Sequence, residues 1–333
     1  INGLQQSGRT LLALINDILD FSKIESGKME LAEESVYLPQ LIEEVFEIIS
    51  SKAVEKQIDF TYYIDEKVPT AIYSDSIRLK QILLNLLSNG IKFTDTGFVA
   101  LNVKVNESGK DLQFMVRDSG IGISTENIGT LFNSFTQIKA HKGVSRGGTG
   151  LGLAISKRLA SLMNGDISVA SESGKGSVFT LNMPCHESND YSEFNKFIID
   201  QKSLMQQLNN TPLFAMETQN VAIQNIMNEA KKYGINSQYI SWQNFVSNID
   251  SFVNQPIIIH QKHIESNEVI STWFAHNTKV LQGMMVLNFD ARNQPNNYTA
   301  YTDKYSLPLR YRAFFKYVSN KVSRLNDLSL FRA

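Results

Sequence analysis

The stretch Arg78–Thr94, RLKQILLNLLSNGIKFT, constrains this chain more than any other. Ile82, Leu83, Leu86, Leu87 and Ile91 recur at helical spacing, which predicts a helix with one face on a core. Asn85, Asn89 and Lys92 fall together on another face, because four residues advance about 400° and seven about 700° around a helix. Two amides and an ammonium on one stripe can line a site for an anion that carries a metal. A carboxamide oxygen is a hard ligand suited to Mg²⁺, which keeps most of its waters and phosphate oxygens. A lysine meets phosphate as a point charge. A surface helix with a polar outer face fits the same residues equally well.

Two glycine clusters follow. In the first, the alternating run Leu112–Val116 leads into Asp118-Ser119-Gly120-Ile121-Gly122-Ile123. A strand therefore delivers an acid into a tight turn that glycines permit. A carboxylate held there can accept a hydrogen bond from an exocyclic amine such as that of adenine. The second is Arg146-Gly147-Gly148-Thr149-Gly150-Leu151-Gly152-Leu153, ahead of the amphipathic run Ala154–Met163. Glycines at a helix start let backbone N–H groups approach phosphates. Either cluster taken singly also reads as an ordinary strand-to-helix turn.

In this order and spacing, NLLSNGIKFT, DSGIGI, LFNSF and GGTGLGL resemble the N, G1, F and G2 boxes of the histidine kinase catalytic domain. That domain shares its ATP-binding superfamily with gyrase, Hsp90 and MutL. The resemblance covers about residues 1–185 and implies a two-layer α/β sandwich that binds ATP with Mg²⁺. It implies Asn89 as the metal ligand, with Asn85 and Lys92 as the catalytic contacts to the phosphates. Asp118 would read the adenine amine, Gly120, Gly122 and Ile123 would shape its pocket, and Gly148, Gly150 and Gly152 would cradle phosphate. Arg146, Thr149 and Leu151 belong to the same G2 segment. Residues 132–148 would be the ATP lid, with Phe132 and Phe135 as its hydrophobic anchors; plain core packing would explain both phenylalanines as well.

Upstream, LLALINDILDFSKIESGKMEL looks like the second helix of the dimerisation and phosphotransfer hairpin. Residues 1–31 read as one amphipathic helix with Leu11, Leu14, Ile15, Ile18, Leu19 and Phe21 on its apolar side and Ser26-Gly27 at its end. Such a helix needs a partner, and the resemblance implies a homodimer through these helices. The family carries its phosphorylated His on the preceding helix, followed by an acid. None of His141, His186, His260, His263 and His276 stands in that context, so the acceptor is expected N-terminal to Ile1. The opening Ile1, in place of Met, suggests a piece of a longer protein.

Two departures from the family bear on chemistry. ATP-hydrolysing relatives place a Glu general base where this chain has Asn85. A neutral amide cannot take a proton at physiological pH, so transfer to an imidazole is expected over attack by water. The second is Gly90, where the family more often has Ala; a glycine inside a helix costs about 0.5–1 kcal/mol and would loosen it.

Further elements follow from pattern. Pro39–Lys52 reads as a helix, Ile58–Ile64 as a strand, Val99–Val105 with Leu112–Val116 as a hairpin, and Ile167–Ser171 with Ser177–Met183 as a second hairpin around Ser173–Gly176. Residues 186–210 are polar and read as a linker. After it, strands at Pro212–Met216, Gln238–Ile240, Pro256–His260 and Gly283–Phe289 alternate with helices at Asn220–Tyr233, Phe245–Phe252, Val269–Ala275 and Arg310–Val322. Alternation predicts a parallel, doubly wound sheet. It resembles a receiver domain, but a degenerate one. The first acid site is Met216-Glu217, the third strand ends at His260, and Leu307 stands where a Lys precedes Pro308 in the family. One Glu without a phosphorylatable Asp cannot hold Mg²⁺ and an aspartyl phosphate, so a pseudo-receiver is expected. His260 and His263 lack the further ligands a metal would need.

Domains are therefore expected at 1–31, 32–185 and 211–333, with 186–210 as linker, in a chain of 333 residues long enough for several cores. With 32 basic against 33 acidic residues there is no charge case for nucleic acid. One cysteine, Cys185, excludes an internal disulfide, and no apolar run reaches the length of a membrane span. The resemblance implies the cytoplasmic part of a hybrid sensor histidine kinase anchored in an inner membrane, with no membrane contact of its own. Its partner would be a response regulator or phosphotransfer protein. The other reading is a nucleotide-binding regulatory or scaffold module without kinase turnover.

Overall fold

The computed structural model describes residues 8, 12, 15, 18–136, 150–190, 208, 212–218, 220–232, 234–252, 255–260, 264, 267–276, 285–290, 303–306, 314–315 and 318–319. Contacts divide the chain into two compact units. One comprises Ile1–Ile49 with Lys67–Tyr191, the other Ser50–Glu66 with Ser192–Ala333.

In the first unit, helix α1 occupies residues 18–25. It stops where Gly27 takes a positive φ of 63°, so residues 28–31 are not helical as the pattern suggested. Ile15, Ile18 and Leu19 are exposed, while Leu11 and Leu14 lie outside the described residues. Strand β1 (Glu34–Tyr37) pairs antiparallel with β3 (Ala71–Ser74), and helix α2 (Leu38–Glu55) begins directly after β1. The linker reading needs correction at its start. His186 and Ser188 extend this ribbon, with Tyr73 N–H donating to His186 O at 2.8 Å and Ser188 N–H donating to Ala71 O at 3.0 Å. An edge strand offers unpaired backbone groups, and polar residues after Pro184 fill them.

Helix α3 (Ser76–Phe93) is the predicted one. Asp75 caps it by accepting from Arg78 N–H at 2.9 Å, and its other oxygen accepts from Ala32 N–H at 3.0 Å. Leu79, Ile82, Leu83, Leu86, Leu87 and Ile91 are buried. They pack on the antiparallel strands β4 (Phe98–Val105), β5 (Asp111–Asp118), β7 (Gly176–Pro184) and β6 (Asp166–Glu172), which neighbour in that order. A short helix α4 (Thr125–Ile128) follows β5, and helix α5 (Gly152–Leu162) packs beside α3 on the sheet. Alternation turns Leu112, Phe114 and Val116 of β5 into the core with Ile167 and Leu181. The result is a two-layer α/β sandwich.

The second unit contains strand β2 (Asp59–Ile64) and, after residue 191, strands β8 (Leu213–Met216), β9 (Ser237–Ile240), β10 (Pro256–His260), β11 (Met285–Asp290) and β12 (Asp303–Ser306). The latter five form one parallel sheet in the order β9-β8-β10-β11-β12. Renumbered within the unit this is 2-1-3-4-5, the flavodoxin-like doubly wound order. Helix α6 (Val221–Lys232) ends before Gly234, where φ is 76°. The helix expected at Phe245–Phe252 is instead helix α7 (Trp242–Ser247) and a 3₁₀ turn at Ile249–Phe252. Ser241 caps α7 by accepting from Asn244 N–H, which moves the start forward, and Asn248 leaves helical geometry at φ −126°. Helix α8 spans Glu268–His276. The core gathers Phe245, Ile257, Ile259, Ile264 and Phe274. Of the helix expected at Arg310–Val322, residues 314, 315, 318 and 319 are described and helical. Leu307, Pro308 and His263 lie outside the described residues. Among the described residues, no helix is long and apolar enough to cross a membrane.

Candidate functional site

Helix α3 brings Asn85 and Asn89 together on its half-buried face, as the spacing predicts. Asn89 Nδ2 donates to Asn85 Oδ1 at 3.3 Å, and Asn85 Nδ2 donates to Ser156 Oγ on α5 at 2.8 Å. Both ends of the Asn85 amide are thus fixed. The same two helices meet at Gly152, where a Cβ would overlap Asn85 Oδ1. Only a residue without a side chain lets the start of α5 come this close to Asn85. Gly152→Ala is expected to lower stability by about 1–3 kcal/mol through overpacking. Denaturant melts would check this, and an unchanged stability would show that Asn85 has room to move.

Lys92 completes the stripe, half-buried, with its ammonium 5.0 Å from the Phe93 ring centroid. Gly90 has a packing reason rather than a loosening one. A Cβ there would lie 3.1 Å from Val99 Cγ1 and 3.7 Å from Asp118 Cβ, so its absence lets α3 settle against β4 and β5.

Asp118 ends β5 and is buried, 6% exposed. Its Oδ1 accepts from Gly120 N–H at 2.9 Å. Burial raises its pKa above the usual aspartate value, while donors from the Gly120 backbone and from the backbone and hydroxyl of Ser177 pull it back. Ser177 Oγ lies 2.9 Å from Ser171 Oγ, and Ser171 Oγ accepts from Ile123 N–H at 2.8 Å. The turn therefore hangs on a small hydroxyl network. Gly122 stands at φ 64° and backs onto the Glu172 carbonyl, where a side chain would overlap backbone.

Of the F segment, Phe132 lies under the Lys157 ammonium, 5.1 Å from its ring centroid. Phe135 departs from the core reading: it is 67% exposed, takes φ 62°, and meets Phe21 of α1 edge-on with centroids 6.5 Å apart. Its N–H donates to Gly150 O at 3.0 Å. Leu151 is buried beside the start of α5. Arg146, Gly148 and Thr149, with the rest of the expected lid after residue 136, lie outside the described residues. Ser156 and Ser177 were missed in the sequence. The signal for Ser156 was a hydroxyl interrupting the buried face Ala154, Ile155, Leu159 and Ala160. Ser177 gave none. Among the described residues, no three His, Cys, Asp or Glu side chains cluster as a metal site.

A family model described as histidine kinase-, DNA gyrase B- and HSP90-like ATPase matches residues 74–187, which span β3 end to β7 and hold every described residue of this site. Residues 74–187 are thus an ATPase domain of the kind that histidine kinases share with DNA gyrase B and HSP90. Hybrid signal transduction histidine kinase B of Dictyostelium discoideum is 44% identical over 198 residues, covering 59% of this chain and 10% of that protein. Sensor histidine kinase RcsC of Escherichia coli K12 is 42% identical over 188 residues, covering 56% of this chain and 19% of that protein. The chain thus spans a tenth to a fifth of the length of these curated kinases. A structure of full-length ShkA in complex with AMPPNP shares the fold over 96% of this chain and 64% of its own, with a TM-score of 0.68 and 23% identity. The kinase ATPase fold therefore carries the site just described.

Proposed function

We propose that this chain is the kinase portion of a hybrid sensor histidine kinase in a two-component phosphorelay. It binds ATP with Mg²⁺ and passes the γ-phosphoryl to a histidine outside residues 1–333. The observation that carries the reading is the junction of α3 and α5, where Asn85, Asn89, Gly152 and Ser156 meet beside a turn holding a buried aspartate. The AMPPNP bound by ShkA is the class of ligand this arrangement suits.

In this reading Asp118 accepts from the adenine amine, and Gly120 and Gly122, where a side chain would overlap the Phe93 and Glu172 carbonyls, let the turn that holds Asp118 close. Asn89 donates from Nδ2 to Asn85, so its carboxamide oxygen is the atom offered to a cation. Asn85 and Lys92 meet the phosphates. A bound Mg²⁺ would neutralise charge on the β- and γ-phosphate oxygens. The rest of the step is positioning. An imidazole nitrogen forms a bond to the γ-phosphorus, the bond to the β-phosphate oxygen breaks, and ADP leaves with that electron pair. Asn85, held by Ser156 and Asn89, offers no base to water.

The domains proposed are a dimerisation helix over 1–31, the ATP-binding domain over 32–185 and a pseudo-receiver over 211–333. The last is supported by its 2-1-3-4-5 parallel sheet and by Met216-Glu217 at the end of β8. The test mixes the chain with a separate helical hairpin carrying the acceptor histidine and γ-labelled ATP. Acid-labile label on the hairpin is the expected result. Nucleotide binding without any label there would instead favour the scaffold reading, and steady phosphate release without the hairpin would favour a water-using ATPase.

A further inference from the structure

Three neighbouring strands of the ATP-binding domain carry one row of polar side chains at the end where the turn 118–123 leaves the sheet. Asp118 of β5 lies opposite Ser177 of β7, and Ser177 lies opposite Ser171 of β6. Directly opposed residues share a face of the sheet, so register fixes the row. Ser177 donates its hydroxyl to the Asp118 carboxylate. Its one proton is used there, so in the 2.9 Å contact between the two hydroxyls Ser171 is the donor. Ser171 Oγ shares that proton with Gly176 O, also at 2.9 Å, and accepts from Ile123 N–H at 2.8 Å. The chain of bonds therefore has a direction. It starts at an N–H that can only donate, passes two hydroxyls, and ends on a carboxylate that can only accept. It also joins the two ends of the turn, Asp118 and Ile123. The backbone supports the same join. Gly174 N–H donates to Ile121 O at 2.7 Å, and a Cβ on Gly176 would lie 2.0 Å from Asp118 O.

We propose that Ser171 is a positioning residue for the purine: through Ser177 it orients the Asp118 carboxylate, through Ile123 it fixes the far end of the turn, and it thereby sets the preference for a purine that carries an amine. The inference rests on the reading of Asp118 as the acceptor for that amine and deepens it. Ser171 itself touches no nucleotide. Hydrogen bonds in a directed chain polarise one another, so the donor that Ser171 supplies strengthens the next bond, from Ser177 to the carboxylate. Removing Ser171 Oγ takes a partner from the buried Ser177 hydroxyl and from the half-buried Ile123 N–H together. The carboxylate and the end of the turn then lose their common anchor. The expected phosphate contacts lie on α3, a different element, and do not pass through this row.

The test compares ATP with purine riboside triphosphate, which has hydrogen in place of the 6-amine, by calorimetry on the full 333-residue chain. The wild type is expected to bind ATP the more tightly. Ser171→Ala is expected to weaken ATP binding about five- to tenfold and binding of the analogue by less than about twofold. A merely structural loss would lower both affinities alike. Ser171→Thr keeps a hydroxyl on a strand, where β-branching is tolerated, and is expected to hold ATP affinity within about twofold of the wild type. In the nucleotide-free chain the Ile123 amide is expected to exchange about tenfold faster in Ser171→Ala and at the wild-type rate in Ser171→Thr. Equal losses for the two nucleotides in Ser171→Ala, no recovery in Ser171→Thr, or an unchanged Ile123 amide would each overturn the positioning role and leave the Asp118 reading standing. A wild-type chain that binds both nucleotides alike would overturn the Asp118 reading itself, and this inference with it.

Discussion

Asp118→Asn is expected to weaken ATP binding about ten- to a hundredfold and to remove a loss of stability that the nucleotide-free wild type shows as pH rises. The first effect follows from counting oxygens. Asp118 Oδ1 already accepts from Gly120 N–H, and Ser177 donates to the same carboxylate. An ionised carboxylate has lone pairs left for the adenine amine, but an asparagine has one oxygen and turns an NH₂ toward one of these donors. Losing a hydrogen bond to a charged group is worth about 1.5–3 kcal/mol, which is the range stated. The second effect follows from the sign of the pKa shift. Burial raises this carboxyl above its unfolded value, so the native state binds the proton more tightly than the unfolded chain does. Its favourable contribution is present below the unfolded pKa and is lost as pH rises through the folded one. The amide has no such titration, so it removes this pH dependence, although its NH₂ still faces one of the donors. Thermal melts across pH should show the wild type losing stability relative to the variant as pH rises from about 4. Calorimetry with ATP should show wild-type affinity falling as pH drops through the raised carboxyl, with no such step in the variant. Equal affinity in the two proteins would remove Asp118 from the adenine site.

How much of this is legible in the sequence depends on how local each determinant is. The α3 stripe was readable because 3.6 residues per turn ties Asn85 to Asn89 with no help from the rest of the fold. The turn after β5 was readable because glycines mark backbone that a side chain would obstruct, as the Glu172 carbonyl behind Gly122 shows. Ser156 and Ser177 were not, since one is 71 residues from Asn85 and the other 59 from Asp118, and only the packed sheet and helices bring them together. Gly90 looked like a flaw in the helix until Val99 was seen beside it. The ribbon of β1 with β3 escaped because four-residue strands carry too few alternations to show a period. Strand β2 and helix α6 were both readable, at Ile58–Ile64 and Asn220–Tyr233, because each runs long enough to show its period.

Asn89→Ala is expected to reduce phosphoryl transfer about a thousandfold with a much smaller loss of ATP affinity. The site has no carboxylate cluster among the described residues, so the carboxamide oxygen of Asn89 would be the protein's direct hold on the cation. Charge neutralisation at the transferring phosphoryl is worth several kcal/mol, and about 1.4 kcal/mol corresponds to each tenfold in rate. Adenine recognition at Asp118 lies on a different element and should persist, which separates the two losses. Removing Asn89 also removes the donor to Asn85 Oδ1, but Ser156 still accepts from Asn85 Nδ2, so Asn85 keeps one of its two restraints. Asn89→Asp is the discriminating companion. It keeps an oxygen on the metal but adds negative charge beside phosphate, so its rate should lie between the wild type and Asn89→Ala and its Mg²⁺ requirement should shift to lower concentration. Single-turnover transfer to the histidine hairpin over a Mg²⁺ titration measures both. If Asn89→Ala transfers phosphate at the wild-type rate with the wild-type Mg²⁺ dependence, the cation is held elsewhere and the stripe on α3 has only a structural role.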